Sequence, residues 1–242
     1  MSRTLKFGNG QWAVKEGSTL AYNDENNNFK PLPFSFDRAS SATVVNKDGL
    51  IELVGSNMPR IDFADDSEGA LLTEPQSTNL VTYSEDFSDS SWAKVGVSTL
   101  QNQGIAPDGL NTVNKIIVDN SNGVHYIKEA FSSNTGTKTA SFFVDYTKND
   151  FVSCSITYNA NSRGVGIIIN LTNNTILDTS INPDITYSLK IKTYGDFKRI
   201  EITATNTNEN ILNVLHISPF NNEAYSFDGG TRLPSYQGDG TS

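Results

Sequence analysis

From about residue 112 onward the chain alternates apolar and polar residues in short runs. These runs are 112–118, 124–131, 138–147, 151–158, 165–172, 175–181, 186–194, 197–205 and 211–218, with Asn, Asp, Gly and Thr between them. A period of two sends successive side chains to opposite faces of a pleated strand, which a helix cannot do. The runs recur about every 10–12 residues, a rhythm that predicts an antiparallel sandwich or barrel. No helix-period segment of useful length interrupts them. No fixed repeat of about 20–50 residues points to a solenoid or propeller.

Alternation also assigns faces. Ala140, Phe142, Val144 and Tyr146 point one way, and Ser141, Phe143 and Asp145 the other. Leu189 and Ile191 join Ile200, Ile202 and Ala204 on a core face. Lys190, Lys192, Tyr194, Arg199, Glu201 and Thr203 then face solvent. One buried face and one wet face is the habit of an antiparallel sandwich sheet. Cys154 shares a face with Val152, Ile156 and Tyr158, which predicts a buried structural thiol. Two turns are read from their residues. Asn173-Asn174 is expected as a two-residue type I′ turn, and Gly195-Asp196 as a two-residue hairpin loop between Tyr194 and Phe197.

Composition agrees with strands and turns. The chain holds 27 Asn and 23 Thr, residues suited to turns and to half-buried pleated surfaces, whereas good helix formers are scarce. The formal net charge is −9, and the 18 Lys and Arg are scattered, which argues against a phosphate-binding groove. No window approaches the ~18 consecutive apolar residues of a membrane span. The first residues lack the apolar core of a secretory signal, so use without Sec export is expected, which fits assembly inside a bacterial cytoplasm and fits any other cytosolic protein equally.

The first 83 residues read differently. Their apolar runs are short and broken by clusters such as Phe7-Gly8-Asn9-Gly10 and the Asn-rich stretch 23–28, and Pro31 and Pro33 favour an extended path. Ala42-Thr43-Val44-Val45 and Leu50-Ile51-Glu52-Leu53-Val54 flank the turn Asn46-Lys47-Asp48-Gly49, a hairpin signal. The expected plan is an extended, hairpin-containing segment over 1–83, a β-sandwich over 84–226, and a Gly-rich tail over 227–242.

Several short motifs follow one another between residues 34 and 94. Phe36-Asp37-Arg38-Ala39-Ser40-Ser41-Ala42-Thr43 leads into the Asp48-Gly49 hairpin. Asn57-Met58-Pro59-Arg60-Ile61-Asp62 comes next, then LLTEPQSTNL over 71–80, then SEDFSDSSW over 84–92. This series resembles a segment frequent in bacteriophage head-fibre, tail-fibre and spike proteins. The remainder is similar to the jelly-roll, carbohydrate-binding-module-like domains that often follow it. The resemblance implies a virion location, partners among other capsid or tail proteins, trimeric association and, in some members, contact with host-surface glycans. The end of the module departs from the family pattern, reading Phe227-Asp228-Gly229-Gly230-Thr231-Arg232-Leu233-Pro234-Ser235-Tyr236.

Catalytic chemistry finds few candidates. His125 and His216 both fall in predicted strands without a Cys or His at metal-ligand spacing, so no metal or cofactor site is expected and each is read as a hydrogen-bonded strand histidine. Asp65-Asp66 and Glu85-Asp86 are the visible carboxylate pairs, both in turn-like stretches, and 62–68 lacks EF-hand spacing. Gly-x-Ser-x-Gly does not occur. An enzyme is therefore not expected, and a glycan-cleaving spike is disfavoured by the missing β-helix repeat. Sugar binding needs exposed rings beside polar groups, and the best outward cluster is Tyr194 with Lys192, Arg199 and Glu201. An ordinary wet sheet face with cross-strand charge pairs is the plainer reading of that cluster.

Overall fold

The computed structural model describes residues 12–15, 19–23, 26, 28–74, 78–132, 136–158, 163–206 and 212–240. The Gly8-Asn9-Gly10 turn and Pro75-Gln76-Ser77 of the third motif lie outside them. The fold is all-β and 52% strand; among the described residues there is no helix, and every strand pairing is antiparallel. It divides into two units, 1–78 with 107–110, and 79–106 with 111–242.

In the first unit β1 (Trp12–Lys15), β2 (Thr19–Asn23) and β3 (Phe29–Ser35) form one sheet. The expected hairpin is β4 (Ala42–Val45) with β5 (Ile51–Val54). Asn46 closes its turn: its Oδ1 accepts from the Asp48 and Leu50 N–H groups at 3.0 Å each, and Gly49 takes the positive φ of 79° that the turn requires. β6 (Ile61–Asp62) pairs with β7 (Ala70–Leu71). Pro107 returns to this unit, its carbonyl accepting from Ile51 N–H at 3.0 Å.

The second unit begins with β8 (Ala93–Val95), β9 (Val97–Leu100), β10 (Lys115–Val118), β11 (Asn122–Val124), β12 (Tyr126–Ser132) and β13 (Gly136–Asp145). It continues with β14 (Phe151–Tyr158), β15 (Arg163–Asn170), β16 (Thr175–Ile181), β17 (Ile185–Tyr194) and β18 (Phe197–Asn206). It ends with β19 (Leu212–Pro219), β20 (Ser226–Phe227) and β21 (Pro234–Gln237). A six-stranded sheet, ordered β16-β15-β14-β19-β12-β8, and a three-stranded sheet, ordered β13-β18-β17, share one apolar core. Val152, Cys154, Ile156, Ile167, Ile169 and Leu215 come from the first; Ile200, Ile202, Ala204, Phe142, Leu189 and Ile191 from the second. Each fully buried aliphatic side chain here contributes about 1.5–3 kcal/mol relative to exposure. Cys154 is wholly buried, and that burial pushes its thiol up to about 12. The thiol is therefore unreactive at neutral pH.

Three expectations need correction. The run 124–131 is two strands in different sheets, because the chain breaks pairing at His125. The Asn173-Asn174 loop is not a two-residue turn: Asn170 pairs with Thr175, so four residues, 171–174, make the connection, and of the two asparagines only Asn174 has positive φ. Leu171 explains this. Its side chain is wholly buried, and its carbonyl accepts from the Lys198 ammonium, which also donates to Asn174 Oδ1 at 2.6 Å. Finally, β14 has no wet face. Ser153, Ser155 and Thr157 point away from the core yet are wholly buried.

What buries them is the C-terminal stretch. β21 pairs with β11 on one side and β20 on the other. Phe220 and Tyr236 form a small apolar cluster with Ile168, against which Phe151, Tyr225 and Phe227 pack. The approach is close enough to demand glycine. A Cβ on Gly166 would overlap the carbonyl of Arg232, and one on Gly238 would overlap that of Asp119.

Candidate functional site

The outer face of the three-stranded sheet is set by register. Along the central strand β18, Thr205 stands between Thr137 and Thr186, and Thr203 between Thr139 and Ser188. Glu201 stands between Ser141 and Lys190, Arg199 between Phe143 and Lys192, and Phe197 between Asp145 and Tyr194. The face therefore grades from hydroxyls at one end, through charges, to aromatic rings at the other. Thr137 and Thr205 hydroxyls meet at 2.8 Å, and those of Thr139 and Thr203 at 2.9 Å.

The four residues named from the sequence come together. Lys190, Lys192, Tyr194, Arg199 and Glu201 line one shallow depression of about 90 Å³. That is well below the ~300–1,000 Å³ typical of clefts that enclose a ligand, so the face suits surface contact only. The Gly195-Asp196 loop makes the grouping possible. It closes directly between Tyr194 and Phe197, with Gly195 at a φ of 55°, and so pins the β17–β18 register.

Glu201 is the electrostatic centre. Lys190 Nζ donates to its Oε1 at 3.1 Å, and Arg199 approaches its Oε2 at 3.7 Å. Arg199 also donates to Ser141 Oγ at 3.4 Å. Lys192 Nζ lies 5.7 Å from the Tyr194 ring centroid, and Phe143 meets that ring edge-on at 5.6 Å. Lys190, Ser141 and Phe143 complete the set and were not among the four singled out. Lys190 follows from the same alternation. Ser141 and Phe143 need the β13–β18 pairing, between residues more than fifty positions apart in the chain.

A scan against protein-family models finds no match for the chain, and a search of curated proteins finds none.

The second place with suggestive chemistry is buried. His216 Nδ1 lies 2.9 Å from Ser155 Oγ, and Ser155 in turn donates its proton to the Thr231 carbonyl at 2.7 Å. Ser155 therefore accepts from His216 Nδ1–H. A nucleophile with its base needs the opposite polarity, the hydroxyl giving its proton to the imidazole. Burial, followed by the Lys128 charge, drives His216 down to about 3, so it stays neutral at ordinary pH. His125 is wholly buried, with Nε2 3.3 Å from Asp119 Oδ1. Asp119 is held below the usual carboxylate range first by the Ser121 hydroxyl.

The carboxylate pairs are turn-makers. Asp66 Oδ1 accepts from Glu68 N–H at 3.0 Å. Asp86 Oδ1 accepts from the Ser88 N–H at 2.9 Å and its hydroxyl at 2.6 Å, and that hydroxyl above all lowers its pKa. Asp62 accepts from Val45 and Ala64 N–H groups at 2.7 and 3.1 Å.

Proposed function

We propose that the chain is a non-enzymatic structural component of a bacteriophage particle, a head-fibre, tail-fibre or decoration protein that displays its sandwich to the host surface. The observation that supports this most is how the fibre-like motif residues are used. The Arg38 guanidinium donates to the Gly55 carbonyl at 2.5 Å and lies within 3.4 Å of those of Val54 and Met58. Arg38 N–H donates to Asn57 Oδ1 at 2.9 Å. Arg60 ties the Thr43 carbonyl at 3.3 Å to Glu74 at 2.8 Å, and Trp92 Nε1 donates to the Tyr83 carbonyl at 2.8 Å. These polar groups serve backbone atoms and one another. Residues used this way specify an architecture. The polarity of the Ser155–His216 pair supports the non-enzymatic part of the reading. A jelly-roll topology and trimeric assembly belong to the same proposal.

Mass spectrometry of purified particles, with immunogold labelling by antibody to the chain, tests it. The expected result is a stoichiometric virion protein labelled on the particle exterior, sedimenting alone as three 26.4 kDa copies. Particles that lack the chain would sink the proposal.

A glycan-binding adhesin is the second reading, favoured by the hydroxyl-to-aromatic gradient across the three-stranded sheet. Rings cover the apolar faces of sugars, and hydroxyls and charges fix their polar edges. Glycan-array binding that Tyr194→Ala removes is the expected outcome.

A further inference from the structure

The charge on this face says what kind of glycan it would take. The chain carries a formal net charge of −9, yet its depression gathers three cations, Lys190, Lys192 and Arg199, around the single carboxylate of Glu201. That carboxylate already occupies the position an anionic ligand would take, between an ammonium at 3.1 Å and a guanidinium at 3.7 Å. The two cations are held loosely. Lys190 is 78% exposed and Arg199 41%, so both can turn outward at little cost. Beside them Phe143 and Tyr194 offer ring surface.

We infer that this face binds acidic saccharides, with Arg199 and Lys190 receiving a carboxylate or sulfate while the sugar ring lies against Tyr194 and Phe143. Glu201 acts as an internal surrogate for the ligand, holding the cations in place when the face is empty. The inference rests on the adhesin reading above. A guanidinium suits it because its planar fork meets carboxylate and sulfate oxygens in pairs, which a neutral sugar does not supply.

The test uses the full chain against a panel of charge-matched pairs: oligogalacturonate and its methyl ester, sialylated and unsialylated lactose, sulfated and unsulfated galactan. Affinities are read by calorimetry or on an array. Acidic members bind at least about tenfold more tightly than their neutral twins, a preference that Arg199→Gln removes. Glu201→Gln raises the affinity for acidic members by about threefold or more, because it withdraws the competing carboxylate. Tyr194→Ala weakens both members of a pair alike. All three are surface variants whose folding is checked by circular dichroism. Equal binding of acidic and neutral twins overturns the charge assignment and leaves the adhesin reading standing. Glu201→Gln weakening the acidic members overturns the surrogate role and with it the assignment. Binding by no member of the panel overturns both.

Discussion

The two sheets of the second unit present outer faces written in the same code and used in opposite ways. Each strand opens with an outward Phe, Phe197 on β18 and Phe151 on β14; the remaining outward positions are polar on both, Arg, Glu, Thr and Thr on β18 and Ser, Ser and Thr on β14. On β18 those residues remain partly open to solvent, and their side chains pair across the sheet. On β14 they are wholly buried beneath the C-terminal stretch, and Ser155 bonds to its Thr231 carbonyl. A period-two pattern therefore specifies pleating and a core side, but a polar outward residue is wet only if nothing else in the chain comes to cover it.

That difference can be broken most severely at Gly166. Gly166→Val places two methyl groups where the Arg232 carbonyl runs, so the cover must lift or the sheet must distort. A loss of at least about 3 kcal/mol is expected in urea unfolding. Hydrogen exchange should speed up first at 234–237, and an unchanged exchange pattern there would count against the close approach.

Acid sharpens the same contrast. His216 is neutral when folded, with its pKa lowered to about 3, whereas the unfolded chain takes up the proton below about 6.5. The unfolded state then binds more protons in that window. Stability from this group is complete above about pH 6.5 and is lost as pH falls toward 3, at about 1.4 kcal/mol per unit. Denaturant midpoints at pH 7, 5.5 and 4.5 measure the slope. His216→Asn should flatten it, whatever that variant does to stability at pH 7.

A smaller effect is expected from Tyr236→Phe. The Tyr236 hydroxyl donates to the Pro219 carbonyl at 2.7 Å, and burial above all pushes its phenol up. Losing that bond should cost about 1 kcal/mol in the same unfolding assay. The open face gives the smallest change. Lys190→Met removes an exposed ion pair with Glu201 and should shift stability by less than about 0.5 kcal/mol. A larger loss would mean that this face is a structural element like its counterpart.

Much of the sandwich was legible. The runs 151–158 and 175–181 coincide with strands, and Leu189, Ile191, Ile200, Ile202 and Ala204 meet in the core as alternation requires. The candidate site was half legible for a definite reason. Tyr194, Lys192, Arg199 and Glu201 lie on one hairpin whose two-residue loop pins their register, so local reasoning could group them. Phe143 and Ser141 reach them only through the pairing of β13 with β18, which no local signal announces. The Gly-rich end gave no strand pattern of useful length, since β20 and β21 span two and four residues.

By itself the sequence determined most of the strands, the Gly195-Asp196 turn and which side of a strand is apolar, because these follow from neighbours one to four residues apart. Tertiary structure alone decided which strands pair at long range, that the outer side of β14 is covered while that of β18 lies open, and which way the proton runs between Ser155 and His216. Those outcomes depend on backbone groups brought together from distant parts of the chain, and a hydroxyl gives its proton to whichever acceptor the fold puts beside it.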